Sequence, residues 1–369
     1  VRILNKTYII VAAVLVVVVL TASVYGVYTI TSLDSPSSTT SPSSTSVTVT
    51  DTVGNVLTIP IPVHRIAALD GSISEALCAM GAQDLIVARC DSCTMPSSLL
   101  NVASVGQNDY DLNVEALIEL NPDVIFASVM LPYNPPIYQR LKDSGMPIYI
   151  VDSTPSEQIN LSEITKDELY ALPTRVDFIC DLMQNFTKIV GCEEQTIEYI
   201  TWAQNYNTLV KDRIYSLTSA QQVTIFLEWY DSDYRTFVTQ TVHQAGGINI
   251  AENEPVYSPN LSPEFVVEKN PTVIIELISS PTHDVNDFTV AKNTIMNRAA
   301  TKDVDAVKYD RVYICDFCII NGVRSVVGYL YWAKWLQPSL FSDIDPAAVN
   351  QELDQEFFGT ALAGTFAHP

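Results

Sequence analysis

The feature that most constrains this chain is a repeat of part of its own sequence at an offset of 149 residues. The segment Leu112-Asn113-Val114-Glu115-Ala116-Leu117-Ile118-Glu119-Leu120-Asn121-Pro122-Asp123-Val124-Ile125 aligns without a gap on residues 261–274. Identities fall at Leu112/Leu261, Glu115/Glu264, Glu119/Glu268, Asn121/Asn270, Pro122/Pro271, Val124/Val273 and Ile125/Ile274. Each copy opens on a polar capping residue, Asn113 or Ser262, whose side chain can accept from the free N–H groups of a first helical turn. The Asn-Pro pair then stops the helix, because proline offers no N–H and crowds the preceding turn, and an apolar run follows. One such helix, stop and buried strand in each half predicts two similar α/β lobes.

The rest of the chain alternates in the same way. Short apolar runs at 65–69, 85–88, 124–127, 148–151, 223–227, 273–277 and 312–314 are separated by helical or turn segments, the pattern of parallel sheets covered on both faces. Residues 47–50 and 55–59 flank Asp51-Thr52-Val53-Gly54 as a hairpin. Between the halves, Ile197, Ile200, Ala203, Tyr206, Val210, Ile214 and Leu217 recur every three or four residues, which predicts one long helix over 193–217. At 1.5 Å per residue it would run roughly 37 Å, enough to carry the chain from one lobe to the other. The expected fold class is α/β, two Rossmann-like lobes joined by a single long helix. The lobes would occupy 47–174 and 219–369, with 175–218 as the connecting helical segment.

Residues 8–30 contain no charged side chain, long enough to cross a hydrocarbon core of about 30 Å. Arg2 and Lys6 precede this run, so the positive-inside rule leaves the N-terminus in the cytoplasm and the remainder outside. The alternative is a cleaved signal peptide ending near Ala22-Ser23; both readings export the domain. Residues 31–46 form a Ser/Thr/Pro tract with almost nothing to bury, expected to be a disordered stalk.

Composition excludes some partners. Lys and Arg number 20 against 42 Asp and Glu, a formal net charge of -22, so a nucleic-acid backbone would be repelled. The chain is 47% hydrophobic, ample for the cores of a monomer. Its four histidines, His64, His243, His283 and His368, form no His-Glu-x-x-His pair. With no phosphate-cradling glycine loop and no Gly-x-Ser-x-Gly elbow either, the expectation is a protein that is not an enzyme and requires no cofactor.

Several stretches, in this order, resemble one known family. They are Asp51-Thr52-Val53-Gly54 with Pro60 and Arg65-Ile66, Glu75 to Ala82, Leu112 to Phe126, Ala245-Gly246-Gly247-Ile248-Asn249, Ser262-Pro263-Glu264 to Ile275, and Arg311-Val312-Tyr313 to Pro338. Residues 47–340 are similar to the substrate-binding proteins of ATP-binding-cassette importers for iron-siderophores, haem and cobalamin, whose two lobes are joined by one long helix. The resemblance implies an extracytoplasmic receptor on the outer face of the cytoplasmic membrane. Its partners would be a permease with its ATPase, and its cargo a complex of iron, cobalt or zinc. It also implies that Glu115 and Glu264, one per lobe, dock onto permease arginines; both would equally suit the first turn of their helices through the macrodipole. The competing functions are a surface enzyme acting on a metal complex, on the same architecture, and a structural surface protein that retains the fold.

A ligand of such a protein belongs between the lobes, in the loops that follow the C-terminal ends of the strands. Those loops supply the ligand-binding candidates Asp70, Tyr110, Tyr133, Trp229, Tyr230 and Arg324, and one of them runs over residues 279–283 to His283. Their aromatic side chains suit a bulky, flat or chelated ligand. Two of the loops carry Cys90-Asp91-Ser92-Cys93 and Cys315-Asp316-Phe317-Cys318, one per half. Cys90, Cys93, Cys315 and Cys318 are accordingly metal candidates, four thiolates meeting across the cleft with Asp91 and Asp316 in support. Two local disulfides and free buried thiols are the alternatives.

Overall fold

Val124-Ile125-Phe126-Ala127 has no polar interruption, and Ile148–Val151 and Val273–Ile278 are nearly as apolar. Strands of this kind can only be covered on both faces, and the computed structural model covers them. It describes residues 45–152, 164–229, 233–280, 283–360 and 364–369. The expected membrane span lies outside these, and among the described residues no helix is long and apolar enough to cross a membrane. The stalk also lies outside them up to Thr45 and Ser46, which open the first strand, Thr45–Thr50, paired antiparallel with Val56–Ile61.

Two five-stranded sheets form the lobes. The N-lobe sheet runs Ala103–Ser104, Ile86–Arg89, Ile66–Ala68, Val124–Ser128, Ile148–Val151, parallel throughout. The C-lobe sheet runs Gly247–Asn249, Val223–Trp229, Val273–Ile278, Val312–Asp316 in parallel, closed by Ala367–His368 antiparallel. In each sheet the chain first winds one way and then reverses. The reversal lies beside Ile66–Ala68 and Val124–Ser128 in one lobe, and beside Val223–Trp229 and Val273–Ile278 in the other.

The sequence repeat is a structural repeat. Helices Val114–Leu120 and Pro263–Lys269 are capped by Asn113, accepting from the Ala116 N–H, and by Ser262, accepting from the Phe265 N–H. Both end on a left-handed asparagine, Asn121 at φ 45°, ψ 63° and Asn270 at φ 44°, ψ 63°. Asparagine is among the few residues besides glycine that enter this region readily. A buried strand follows each.

Between the sheets stand Arg175–Val190 and the bridge helix Glu193–Tyr215, turned on the positive φ of Gly191 and Cys192. The bridge helix lies where the spacing predicts it but ends at Tyr215, short of Leu217, and buries Thr196, Tyr199, Trp202, Ala203, Asn207, Val210 and Ile214 while Ile197 stays exposed. The helix before it is fastened to it by Asp177, whose carboxylate accepts from Gln204, Asn207 and Lys211. One apolar core runs through Phe126, Tyr149 and Phe186, past Tyr199 and Ile214, to Ile225, Ile275 and Trp332, so the lobes share an interior along this bridge.

A buried charge cluster joins them a second time. Arg324, fully enclosed, donates Nε to Glu75 at 2.6 Å, Nη1 to Asn350 at 2.6 Å and Nη2 to Asp354 at 2.7 Å. Glu75 belongs to the N-lobe helix Gly71–Ala79, and Asn350 and Asp354 to the C-terminal helix Pro346–Phe358. Removing one partner of such a pair strands the others' charge without water. Arg324→Met should therefore lower unfolding stability by about 3–5 kcal/mol. Denaturant unfolding checks this, and a loss under about 1 kcal/mol, the worth of an exposed pair, would contradict the assignment.

Candidate functional site in the interlobe crevice

Ligands of open α/β sheets bind where the strand order reverses, beyond the C-terminal ends of the strands. In the N-lobe that point holds Asp70 and Ser128. Asp70 is the cap of helix Gly71–Ala79, its Oδ1 accepting from the N–H groups of Ser72 and Ile73 and from the Ser72 hydroxyl at 2.5 Å. Beside it, Asp109 Oδ2 accepts from Ser128 N at 2.8 Å and Ser128 Oγ at 2.5 Å. Burial pushes the Asp109 carboxyl up to about 6, against the two Ser128 hydrogen bonds and with help from the Asp70 charge. Tyr110, Met130 and Tyr133 stand on the adjoining loops, 46%, 49% and 67% exposed. Asn134 ties the two loops by donating Nδ2 to the Tyr110 carbonyl at 2.8 Å.

In the C-lobe, Trp229 ends its strand with its ring edge-on to Phe237 at 5.1 Å and Phe317 at 5.0 Å. Arg175 donates to Asn321 Oδ1 and lies over the Phe178 ring. Burial lowers the Arg175 guanidinium to about 10, opposed by Tyr257, Asp70 and Asp152. The lobes touch next to it. A Cβ on Gly322, at φ +60°, would fall 2.9 Å from Ser72 Cβ, so only glycine permits this approach.

The expected site residues divide accordingly. Asp70, Tyr110 and Tyr133 lie on the N-lobe side and Trp229 on the C-lobe side, while Tyr230 falls outside the described residues. Arg324 does not line the crevice surface, because all three directional contacts of its enclosed guanidinium go to Glu75, Asn350 and Asp354. The four thiolates do not converge across the cleft. Cys90 and Cys93 are packed with Leu69, Val105 and Leu131 in the outer N-lobe core, Cys315 sits in the shared core, and all seven cysteines are free thiols. The loop turns where the Cys93 N–H donates to the Cys90 carbonyl at 3.0 Å, and packing against Leu69, Val105 and Leu131 of the N-lobe core holds both sulfurs inward. Burial pushes the Cys93 thiol up to about 11 and drives those of Cys90 and Cys315 well above the ordinary range. Of the two supporting carboxylates, Asp91 accepts from the Ser104 hydroxyl, and Asp316 lies beside His283 and Cys318.

Glu115 and Glu264 occupy equivalent exposed first turns of the repeat helices, and Glu115 pairs with Arg140. Sequence reasoning missed Arg175 and Asn321. The available signal was a basic residue in the first turn of a helix, where the macrodipole opposes it and some other contact must hold it.

Asp109 also gives a pH prediction. Its folded pKa of about 6 exceeds the ordinary 3.8, so the folded state binds more protons between these values and stability falls as pH rises through the window. Asp109→Asn should remove that loss, about 2 kcal/mol between pH 4 and 7 relative to the parent. Urea unfolding at both pH values checks it, and an identical pH dependence in the variant would contradict it.

Sequence comparison gives relatives along most of the chain. An uncharacterised substrate-binding lipoprotein of an ABC transporter from Bacillus subtilis is 22% identical over 80% of this chain and 87% of its own length. The molybdate-binding protein MolA of Haemophilus influenzae is 22% identical over 85% of this chain and 91% of its own. Its molybdate-bound crystal structure superposes with a TM-score of 0.66 at 19% identity, covering 86% of this chain and 99% of that one. A vitamin B12-binding protein of Vibrio cholerae is 25% identical over 70% of this chain and 83% of its own. The family model described as periplasmic binding protein matches residues 66–318, a span holding both sheet reversals and the bridge helix. The chain therefore belongs to the periplasmic binding protein family.

Proposed function

We propose that this protein is the extracytoplasmic receptor of an ABC importer, binding a bulky metal complex, a ferric siderophore, haem or corrinoid, between its lobes and delivering it to the permease and ATPase. The observation that carries this reading is the group of exposed Tyr110, Met130 and Tyr133 at the N-lobe reversal, with Trp229 and Phe317 at the C-lobe reversal. Apolar and aromatic surface of this extent suits a flat or chelated ligand, and its tyrosine hydroxyls carry no positive charge to balance a small oxyanion. A molybdate-like anion, the cargo of one relative, would need a cation. Among the described residues, the guanidinium of Arg175 is bonded to Asn321 and covered by Phe178, and Arg235, whose carbonyl accepts from Trp229 N, donates Nε to Ser258. The net charge of -22 disfavours an anion further.

In this reading residues 8–30 tether the domain to the outer face of the membrane, the Ser/Thr/Pro tract before the first strand at Thr45 holds it away, and Glu115 and Glu264 form a two-point clamp on permease arginines. Their common place on the two repeat helices, at the exposed first turn, supports the pairing. The protein acts by binding alone.

Two experiments follow. In calorimetric titrations with haem, cyanocobalamin, a ferric hydroxamate and molybdate, one of the metal complexes should bind and molybdate should not. Tyr110→Ala and Tyr133→Ala should each weaken that binding about 5- to 10-fold, the worth of one aromatic contact. Binding of molybdate alone would overturn the cargo assignment. Second, Glu115→Arg with Glu264→Arg should abolish stimulation of the permease ATPase while cargo affinity stays within about twofold, the change expected of an exposed position remote from the ligand. Undiminished stimulation would refute the docking role.

A further inference from the structure

Three side chains at the C-lobe end of the Arg324 cluster have a geometry that packing and hydrogen bonding leave unexplained. His283, Asp316 and Cys318 each place a ligating atom within 4.8 Å of the other two. They arrive from two strand ends, His283 after Val273–Ile278 and Asp316 with Cys318 at the end of Val312–Asp316. His283 Nδ1 stands 3.3 Å from Asp316 Oδ2, yet this buried nitrogen makes no hydrogen bond. The separation is that of a His–carboxylate ion pair, and it also falls at the spacing of two neighbouring ligands of one metal. With bonds of about 2.0–2.3 Å, ligand atoms of a tetrahedral zinc lie roughly 3.3–3.7 Å apart.

The supporting groups hold this arrangement in place. Asp316 Oδ2 accepts from Ser280 N at 3.1 Å and Oδ1 from Cys318 N at 2.8 Å, which fixes the carboxylate plane and leaves further lone pairs. His283 takes φ 50°, its carbonyl accepts from Thr365 N at 2.8 Å, and its ring packs on Phe366 at 4.7 Å. Gly364 closes over it so tightly that a Cβ there would reach 2.6 Å from His283 Cβ. An imidazole in a left-handed backbone, strapped from above and aimed at a carboxylate, is held in the manner of a metal ligand.

Charge points the same way. The Cys318 thiol senses Asp316, Glu75 and Arg324, and Glu75 senses His283, so these groups form one continuous cluster. Among the described residues it sets one guanidinium, with the imidazole of His283 beside it, against three enclosed carboxylates, those of Glu75, Asp354 and Asp316. A divalent cation would offset the excess.

We propose that His283, Asp316 and Cys318 bind one divalent cation of the zinc class, with a fourth position left for water. The metal displaces the thiol proton, which leaves to solvent, and no oxidant or reductant is needed. The site adjoins Phe317 of the proposed cargo surface, and its test with Co2+ and Zn2+ alone does not depend on which metal complex the crevice takes. Occupied, it would link two C-lobe strand ends beside the Arg324 lock.

The full chain, stripped with a chelator, is titrated with Co2+ alone and then with Zn2+. One equivalent of Co2+ should give a thiolate-to-cobalt charge-transfer band that Zn2+ abolishes. Cys318→Ser should lose the band and weaken metal affinity beyond the roughly 10- to 100-fold that outer-sphere changes cost. Cys90→Ser and Cys93→Ser should keep it. Absence of the band in the parent, or its survival in Cys318→Ser, overturns the proposal. Should Cys318→Ser fail to fold by circular dichroism, zinc-edge anomalous diffraction from the parent decides. A peak within bonding distance of His283 and Cys318 supports the site, and a peak elsewhere or none refutes it.

Discussion

Arg324 keeps a full positive charge out of contact with water, and its surroundings have to be built to allow that. Its guanidinium is satisfied only when the N-lobe helix bearing Glu75 and the C-terminal helix bearing Asn350 and Asp354 come together. The rings of Phe358 and Phe366 exclude solvent around it. Desolvation raises the Glu75 carboxyl against the pull of Arg324, so at this group the burial cost exceeds the attraction of its partner. A cluster of this kind specifies a relative placement of its elements more sharply than apolar contact does, because any slippage leaves a buried charge alone.

That constraint sets how the crevice works. The lobes are joined by the bridge helix with its shared core, by Arg324, and by the approach of Gly322 to Ser72. Three attachments between the lobes favour small rotations over wide hinge opening. A ligand surface at the sheet reversals, as proposed, would then be largely preformed, which reduces the ordering cost of binding. The exposed aromatic side chains are carried on loops whose ends are pinned, the Tyr110 loop by Asp109 to Ser128 and by Asn134.

Much of this fold was legible from residue order alone. The helix, Asn-Pro stop and strand of 112–125 and 261–274 depend on local capping and period, and they recur with almost the same backbone angles. The bridge helix was legible because its apolar positions hold a helical spacing from Ile197 to Ile214. Arg324 was misread for a reason just as physical: a loop arginine beside glycine looks like a ligand contact until Glu75, 249 residues away in sequence, is brought against it. The cysteines failed similarly. Cys-x-x-Cys spacing fixes how far apart two sulfurs can be, but not whether the loop turns them outward, and burial of Cys90 and Cys93 is decided by the N-lobe core. Cys318 and Asp316 carried part of the signal, whereas their approach to His283 depends on two strand ends meeting.

The central claim is that a metal complex is held where both sheets reverse. Hydrogen–deuterium exchange of the full chain, with and without whichever metal complex it binds, tests this most directly. The account predicts slowed exchange over residues 106–112, 128–134 and 317–322 together, one lobe as well as the other. Protection confined to a single lobe, or lying away from these strand ends while binding is intact, would contradict it.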